Sequence, residues 1–265
     1  MNSLPRMILA VMIFLVSARA GAGLQQGLDA HRSGDFPAAL KEFIPLAAKG
    51  NAIAQLNLGV MNEQGQGVPR NYPRAVFRYR QAAVQGNALA QFKLGVMYLR
   101  GQGVPQDYKS AAAWFRKASE RGSPLAQFNL GVMYVKGQGV PQDDKESASW
   151  FNKSADQGNA LAQFNLATMY IQGRGVRQDY TLALEWHLKA AEQNNPLAQF
   201  ELGVMYTNGE GTAVDLVQAY KWFSLAEGAR GEDGARNKKL LEEKMTAKEI
   251  DAARTLVRDW RQEHK

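Results

Sequence analysis

The sequence predicts an all-α solenoid, a stack of antiparallel helix pairs, on three observations. The phrase Ala-Gln-Phe-x-Leu-Gly-Val-Met-Tyr recurs with small variations, opened by Ala54, Ala90, Ala126, Ala162 and Ala198, each 36 residues after the last. Within each period apolar residues recur at helical spacing. Glycine-bearing turns punctuate the periods at fixed offsets. A strict repeat of this length marks an array in which a unit too small to bury its own core stacks on its neighbours.

Residues 87–122 show the unit. Ala90, Leu94 and Tyr98 lie at i, i+4 and i+8 on one stripe of a helix expected over Ala88 to Arg100. Gly101-Gln102-Gly103 stops it, because glycine accepts the left-handed backbone that closes a helix. Val104-Pro105 runs extended, since the residue before proline is pushed out of the helical region. Asp107 then caps a second helix, expected over Tyr108 to about Glu120, with Ala111, Phe115 and Ala118 on one face. Equivalent turns stand at Gly65, Gly137, Gly173 and Gly209, and equivalent caps at Asn71, Asp143, Asp179 and Asp215. Gly86-Asn87 and Gly158-Asn159 mark the turn between units, where Asn194-Asn195 replaces the glycine in one copy.

Gly59, Gly95, Gly131 and Gly203 sit inside first helices, where glycine costs about 1 kcal/mol relative to alanine. Their recurrence implies a close approach, expected against small residues of the second helix such as Ala82, Ala83 or Ala118. Ala167 takes this place in the fourth copy.

The pattern strongly resembles the Sel-one-like repeat family of tetratricopeptide-like solenoids. The matching residues are Ala126, Leu130, Gly131 and Tyr134 of the first helix, the Gly137 to Asp143 turn, and Trp150 to Ala155 of the second helix. The resemblance implies a right-handed superhelix of helix pairs and an adaptor or scaffold role, often in bacterial envelopes or host-directed secretion. Some cysteine-rich secreted members have β-lactam binding or hydrolysis ascribed to them, whereas this chain has no cysteine.

The chain then divides as follows. Residues 1–20 have the layout of a secretory signal peptide: Arg6, an apolar run from Met7 to Val16, and small residues with cleavage after Ala20, Ala22 being the alternative. The run is shorter than the roughly 20 residues of a spanning helix; an uncleaved anchor is the rival reading. Residues 21–50 read as a tetratricopeptide-like half or cap repeat, and 51–229 as five repeats of 36. Residues 230–265 read as a degenerate repeat, beginning at Gly234, followed by a capping helix. That helix opens on the capping box Thr246-Ala247-Lys248-Glu249 and seals the array with Ile250, Ala253, Leu256, Val257 and Trp260.

Without cysteine, packing alone holds an exported fold together. Lys and Arg number 32 against 25 acids, and removal of Arg6 and Arg19 leaves a net charge of +5. The charges read as alternating in sign, which points to solubility, and no basic run interleaved with aromatics suggests nucleic acid.

Beside the packing stripe, each first helix carries a second apolar stripe. Candidate partner-binding residues are Leu89, Phe92, Val96 and Arg100; Leu125, Phe128, Val132 and Lys136; and Leu161, Phe164 and Gln172. By the resemblance, first helices line a concave groove that accepts a protein or peptide; the alternative is that the Phe and Val positions pack adjacent repeats. The Gln ladder (Gln55, Gln91, Gln127, Gln163, Gln199) reads either as a ligand-binding row or as satisfying loop carbonyls between repeats. Met61, Met97, Met133, Met169 and Met205 read as packing, as do Trp114, Trp150, Trp186 and Trp222, whose alternative is stacking on sugars. His31, His187 and His264 share no metal-ligating spacing, and His187 replaces the aromatic of Phe115, Phe151 and Phe223. Asp107 after Gly101-x-Gly103 suits a cap better than calcium. No catalytic residue, cofactor or metal is assigned. The sequence reading is an exported protein, periplasmic or secreted, that binds another protein or peptide; alternatives are a peptidoglycan or β-lactam binder or hydrolase, with cell-wall contact, and a factor acting on host cells.

Overall fold

The computed structural model describes residues 22–264, and for 227–232 the backbone alone. The signal peptide read over 1–20 lies outside the described residues. Among the described residues every regular element is a helix. The described residues divide into two compact units, the first ending at Ser123 and the second beginning at Pro124.

The first unit contains α1 (22–33), α2 (Phe36–Ala48), α3 (Ala52–Gln64), α4 (Tyr72–Val84), α5 (Ala88–Arg100) and α6 (Tyr108–Glu120). The second contains α7 (Pro124–Lys136), α8 (Asp144–Asp156), α9 (Ala160–Gln172), α10 (Tyr180–Glu192), α11 (Pro196–Asn208), α12 (Leu216–Glu242) and α13 (Ala247–Glu263). Within each unit consecutive helices from α2 onward pack pairwise, the arrangement of a helical solenoid. Helices α5 and α6 have the bounds that the periodicity predicts.

The caps form as the sequence implies. Asp107 accepts the amides of Lys109 and Ser110, and Asp179 and Asp215 accept those of Leu182 and Gln218. Asn51, Asn87, Asn159 and Asn195 cap the first helices in the same way. At the other end, Gly101 adopts φ 67° and its amide donates to the Met97 carbonyl. Asn194 carries the positive φ, 62°, that glycine supplies in the sister turns. The second glycine of the loop is fixed by crowding as well: a Cβ on Gly175 would stand 2.0 Å from the Asp144 carbonyl oxygen at the start of α8.

The partner of the helical glycines differs from the expectation. They press on aromatic rings of the second helix, not on its alanines. A Cβ on Gly131 would lie 2.6 Å from the Phe151 ring, one on Gly95 2.7 Å from Phe115, and one on Gly203 2.6 Å from Phe223. Gly59 meets Tyr79 in the same way. The ring lies flat against bare helix backbone, a contact that any side chain would prop open. Ser147, buried in α8, ties the same pair together by donating to the Gly131 carbonyl at 3.0 Å. The methionine ladder is buried, Met61 and Met97 at 0% exposure, and so fills gaps behind these contacts.

The C-terminal segment also departs from expectation. Helix α12 runs without interruption for 27 residues, through Gly234, where the sequence reads as the beginning of a degenerate repeat. Glu227 to Gly234 holds three glycines and a cap-competent Asp233, yet the helical backbone continues through all of them. The capping box of α13 is present: Thr246 Oγ1 accepts the Glu249 amide and Glu249 accepts the Thr246 amide. Ala253, Val257 and Trp260 turn inward against α12.

Gly131→Leu is expected to lose about 3 kcal/mol of stability, the upper part of the overpacking range. Chemical denaturation checks this, and an unchanged midpoint would refute the ring-on-backbone contact.

Candidate functional site

The predicted partner-binding residues fall into three groups by burial. Leu89 and Leu125 are each 47% exposed and Leu161 50%, although each opens a well-packed helix. Phe92, Val96, Phe128, Val132 and Phe164 are half-buried. Arg100, Lys136 and Gln172 are exposed at the far ends of α5, α7 and α9.

The half-buried group has packing partners. Phe92 lies 5.7 Å from Phe115 between ring centroids, Phe128 5.8 Å from Phe151, and Phe164 5.4 Å from His187. Phe128 and Val132 also pack on the cluster that Ala148, Phe151 and Ala155 of their own repeat form with Ala162, Leu166 and Met169 of the next. These side chains join repeats while keeping part of their surface in solvent. The leucines stand apart, as large apolar groups at one register with half their surface in water. Ile53, at 43% exposure, holds the same register in α3, and the period could have included it.

The glutamine ladder is internal. Gln163 Nε2 donates to the Ala155 carbonyl at 3.1 Å, and its Oε1 accepts from Gln193 at 2.8 Å. Gln55 makes the same two bonds, to Ala47 and from Gln85. Each relay joins the first helix of a repeat to the end of the preceding second helix, and the residues are nearly sealed from solvent, Gln55 at 4% and Gln163 at 4%. Gln85 and Gln193 complete the relays at equivalent positions three periods apart, a pairing that nothing in helical periodicity announces. Of the tryptophans, Trp114 and Trp186 pack against clusters that span repeats. The outer faces of Trp150 and Trp186 carry Lys153 and Lys189 at 4.1 and 4.0 Å from the ring centroids.

The titratable groups are structural. The Asp107 carboxylate is held below its ordinary range by hydrogen bonds from the Ser110 hydroxyl and amide and the Lys109 amide, all capping bonds. Among the described residues no three His, Cys, Asp or Glu side chains converge as a metal would require. His31 Nε2 is 2.9 Å from Gln66 Oε1, and His264 stacks on Trp260 at 4.0 Å. His187 is 0% exposed, neither ring nitrogen has a hydrogen-bond partner, and burial pushes its pKa down to about 4. The small imidazole occurs in the repeat that carries Ala167 in place of the helical glycine, so one added methyl accompanies one smaller ring.

The Sel1 repeat pattern matches residues 52–87, 88–123, 124–159, 160–195 and 196–227. The chain belongs to the Sel1 repeat family. A tetratricopeptide repeat pattern matches residues 24–68. A Sel1 repeat protein of known structure from Oxalobacter formigenes is 29% identical, with TM-score 0.73, covering 77% of this chain and 84% of that one. A protective antigen of uropathogenic Escherichia coli with an SLR fold is 29% identical, with TM-score 0.42, covering 93% of this chain and 69% of that one. The Pseudomonas aeruginosa immunity protein PA5088, 19% identical with TM-score 0.50, covers 78% of this chain and 82% of its own and shares the fold. No curated protein matches the chain. Sel1 repeat proteins typically mediate protein–protein interaction, and such scaffolds are generally non-catalytic. Among the described residues no helix is long and apolar enough to cross a membrane.

The buried imidazole gives a pH signature. Between pH 6.5 and about 4 the unfolded chain protonates this histidine and the folded chain does not, so stability is full above pH 6.5 and falls as pH drops through that window. The loss attributable to His187 is about 3 kcal/mol across the window. His187→Phe combined with Ala167→Gly, the pairing of the sister repeats, is expected to remove that part of the acid sensitivity. Denaturation midpoints at pH 7 and pH 4 check this, and an equal drop in both proteins would contradict it.

Proposed function

We propose that this protein is an exported, non-catalytic scaffold that binds a protein or peptide along its first helices. The observation that carries the reading is the recurrence of half-exposed leucines, Leu89, Leu125 and Leu161, at one register beside exposed Arg100, Lys136 and Gln172. A large apolar side chain in water gains nothing for the fold, and its repetition at a fixed period supplies regularly spaced anchors for a ligand. In the second unit the half-buried Phe128, Val132 and Phe164 lie on the same helices as Leu125 and Leu161, as Phe92 and Val96 do with Leu89 in the first. The family supports a protein partner, and the leader pattern of residues 1–20 supports export to the periplasm or beyond.

The deeply buried imidazole of His187 serves packing. The polar ends of the stripe then set specificity, and the leucines set affinity.

Two measurements test this. Replacement of Leu89, Leu125 and Leu161 by Ser removes surface without opening the core, so partner capture by in-cell crosslinking is expected to fall at least tenfold with the melting temperature retained. Capture that persists would exclude this face. N-terminal sequencing of the protein from a cell-envelope fraction is expected to begin at Gly21, and a chain retained in the cytoplasm with Met1 intact would refute export.

A further inference from the structure

The first repeat departs from its four sisters at two aromatic positions that belong together. Asn62 stands where the others have Tyr98, Tyr134, Tyr170 and Tyr206, and Arg78 stands where they have Trp114, Trp150, Trp186 and Trp222. Elsewhere the two aromatics share one packing environment: Tyr98 and Trp114 lie on one cluster, and Tyr206 and Trp222 belong to another. In the first repeat Asn62 folds back on its own helix, its Nδ2 donating to the Leu58 carbonyl at 2.6 Å. Arg78 turns toward Gln81 at 3.2 Å and the Phe77 ring at 5.5 Å. The space left is a cavity of about 400 Å³ bordered by Asn62 and Arg78 themselves.

Its walls are apolar and unusually exposed. Ile44 of α2 is 53% and Phe77 of α4 56% exposed, and both face the cavity. At the register of Phe77 the sister repeats carry Ala113, Ser149, Glu185 and Lys221, so this ring has no counterpart. Arg74 stands with Arg78 at the border. The local charge is one-sided, against the alternation read for the chain as a whole. From residue 64 to residue 106 there are six basic residues (Arg70, Arg74, Arg78, Arg80, Lys93 and Arg100) and no acid. The acid that precedes this stretch in the sequence, Glu63, is taken by the Tyr79 hydroxyl and by Lys93 at 3.1 Å.

We propose that this cavity docks an acidic peptide segment through one aromatic side chain, which replaces the tyrosine and tryptophan that the repeat lacks, while flanking carboxylates pair with Arg74 and Arg78. A recess shaped by missing aromatic side chains fits a ring better than it fits a flat surface, and an aromatic anchor in a desolvated pocket ringed by charge is a common way to fix a peptide. The proposal rests on the scaffold reading and adds to it a second, chemically distinct contact point in the first unit.

The test uses fluorescein-labelled Gly-Glu-Asp-Tyr-Glu-Asp, the same peptide with Ala for Tyr, and one with Lys for every acid, followed by anisotropy with the purified protein. The acidic tyrosine peptide is expected to bind at least tenfold more tightly than either control, with affinity falling as salt rises. Asn62→Tyr with Arg78→Trp restores the sister residues and is expected to weaken binding at least tenfold without loss of melting temperature. Arg74→Glu, at an exposed position, is expected to weaken it as much and decides the matter if the double variant misfolds. Equal binding of the three peptides, or binding that survives Arg74→Glu, overturns the proposal. So does sedimentation with phosphatidylglycerol vesicles in the absence of peptide binding, which would assign the surface to lipid. In cells, p-benzoylphenylalanine in place of Phe77 is expected to crosslink a segment with an aromatic residue flanked by Asp or Glu. Crosslinks from position 161 alone would overturn this site and leave the scaffold reading standing; crosslinks from neither position would overturn both.

Discussion

The contact on which the structure depends is a ring lying against bare helix backbone. In the first four repeats both helices are 13 residues long, a length at which an isolated helix is marginal in water. Their stability must come from packing, and the packing is set by how closely the two axes approach. Gly95 against Phe115, Gly131 against Phe151 and Gly203 against Phe223 set that approach three times with the same geometry. The loss in helix propensity at each glycine, about 1 kcal/mol, is offset by burial of a whole aromatic face. The fourth repeat keeps the balance with different parts, a methyl at Ala167 and an imidazole at His187.

Repeats are then joined to one another by elements that do not depend on that contact. The glutamine relays hold the end of one second helix to the next first helix, and Gly103, Gly175 and Gly211, the second glycines of their long turns, let backbone meet backbone, as Gly211 does at the Tyr180 carbonyl. Gln55 and Gln163 have both ends of their amides bonded, whereas the buried Oε1 of Gln91 has no hydrogen-bond partner and Arg121 stands where Gln85 and Gln193 complete the other relays. The surface left for recognition is what packing does not use: the leucine register, the ends of the first helices, and the place in the first repeat where two aromatics are absent.

Most of the fold was legible because period, caps and turns are local signals. Asp107, Gly101 and the Thr246–Glu249 box each act within a few residues, so the chain announces them. The glycine partner was misjudged because the sequence shows that a close approach exists but not which side chain crosses 20 residues to make it; the covariation of Ala167 with His187 was the available clue. The length of α12 was not legible, because the segment that was read as the start of a degenerate repeat at Gly234 continues the preceding helix. For the candidate site, periodicity located the stripe but could not divide it, since Leu89 and Phe92 differ only in which neighbours happen to cover them. The cavity of the first repeat was readable in principle from Asn62 and Arg78, yet a departure from a motif registers as noise until the space it leaves is seen.

A double-mutant cycle at Gly95 and Phe115 measures the governing contact most directly. Gly95→Ala, Phe115→His and the double variant would be compared by chemical denaturation. The account predicts that the double variant loses clearly less stability than the sum of the single losses, with a coupling on the order of 1 kcal/mol or more, because the smaller ring makes room for the methyl. Strictly additive losses would show that methyl and ring do not compete for the same space, and would contradict the idea that glycine-on-ring contact sets the geometry of every repeat.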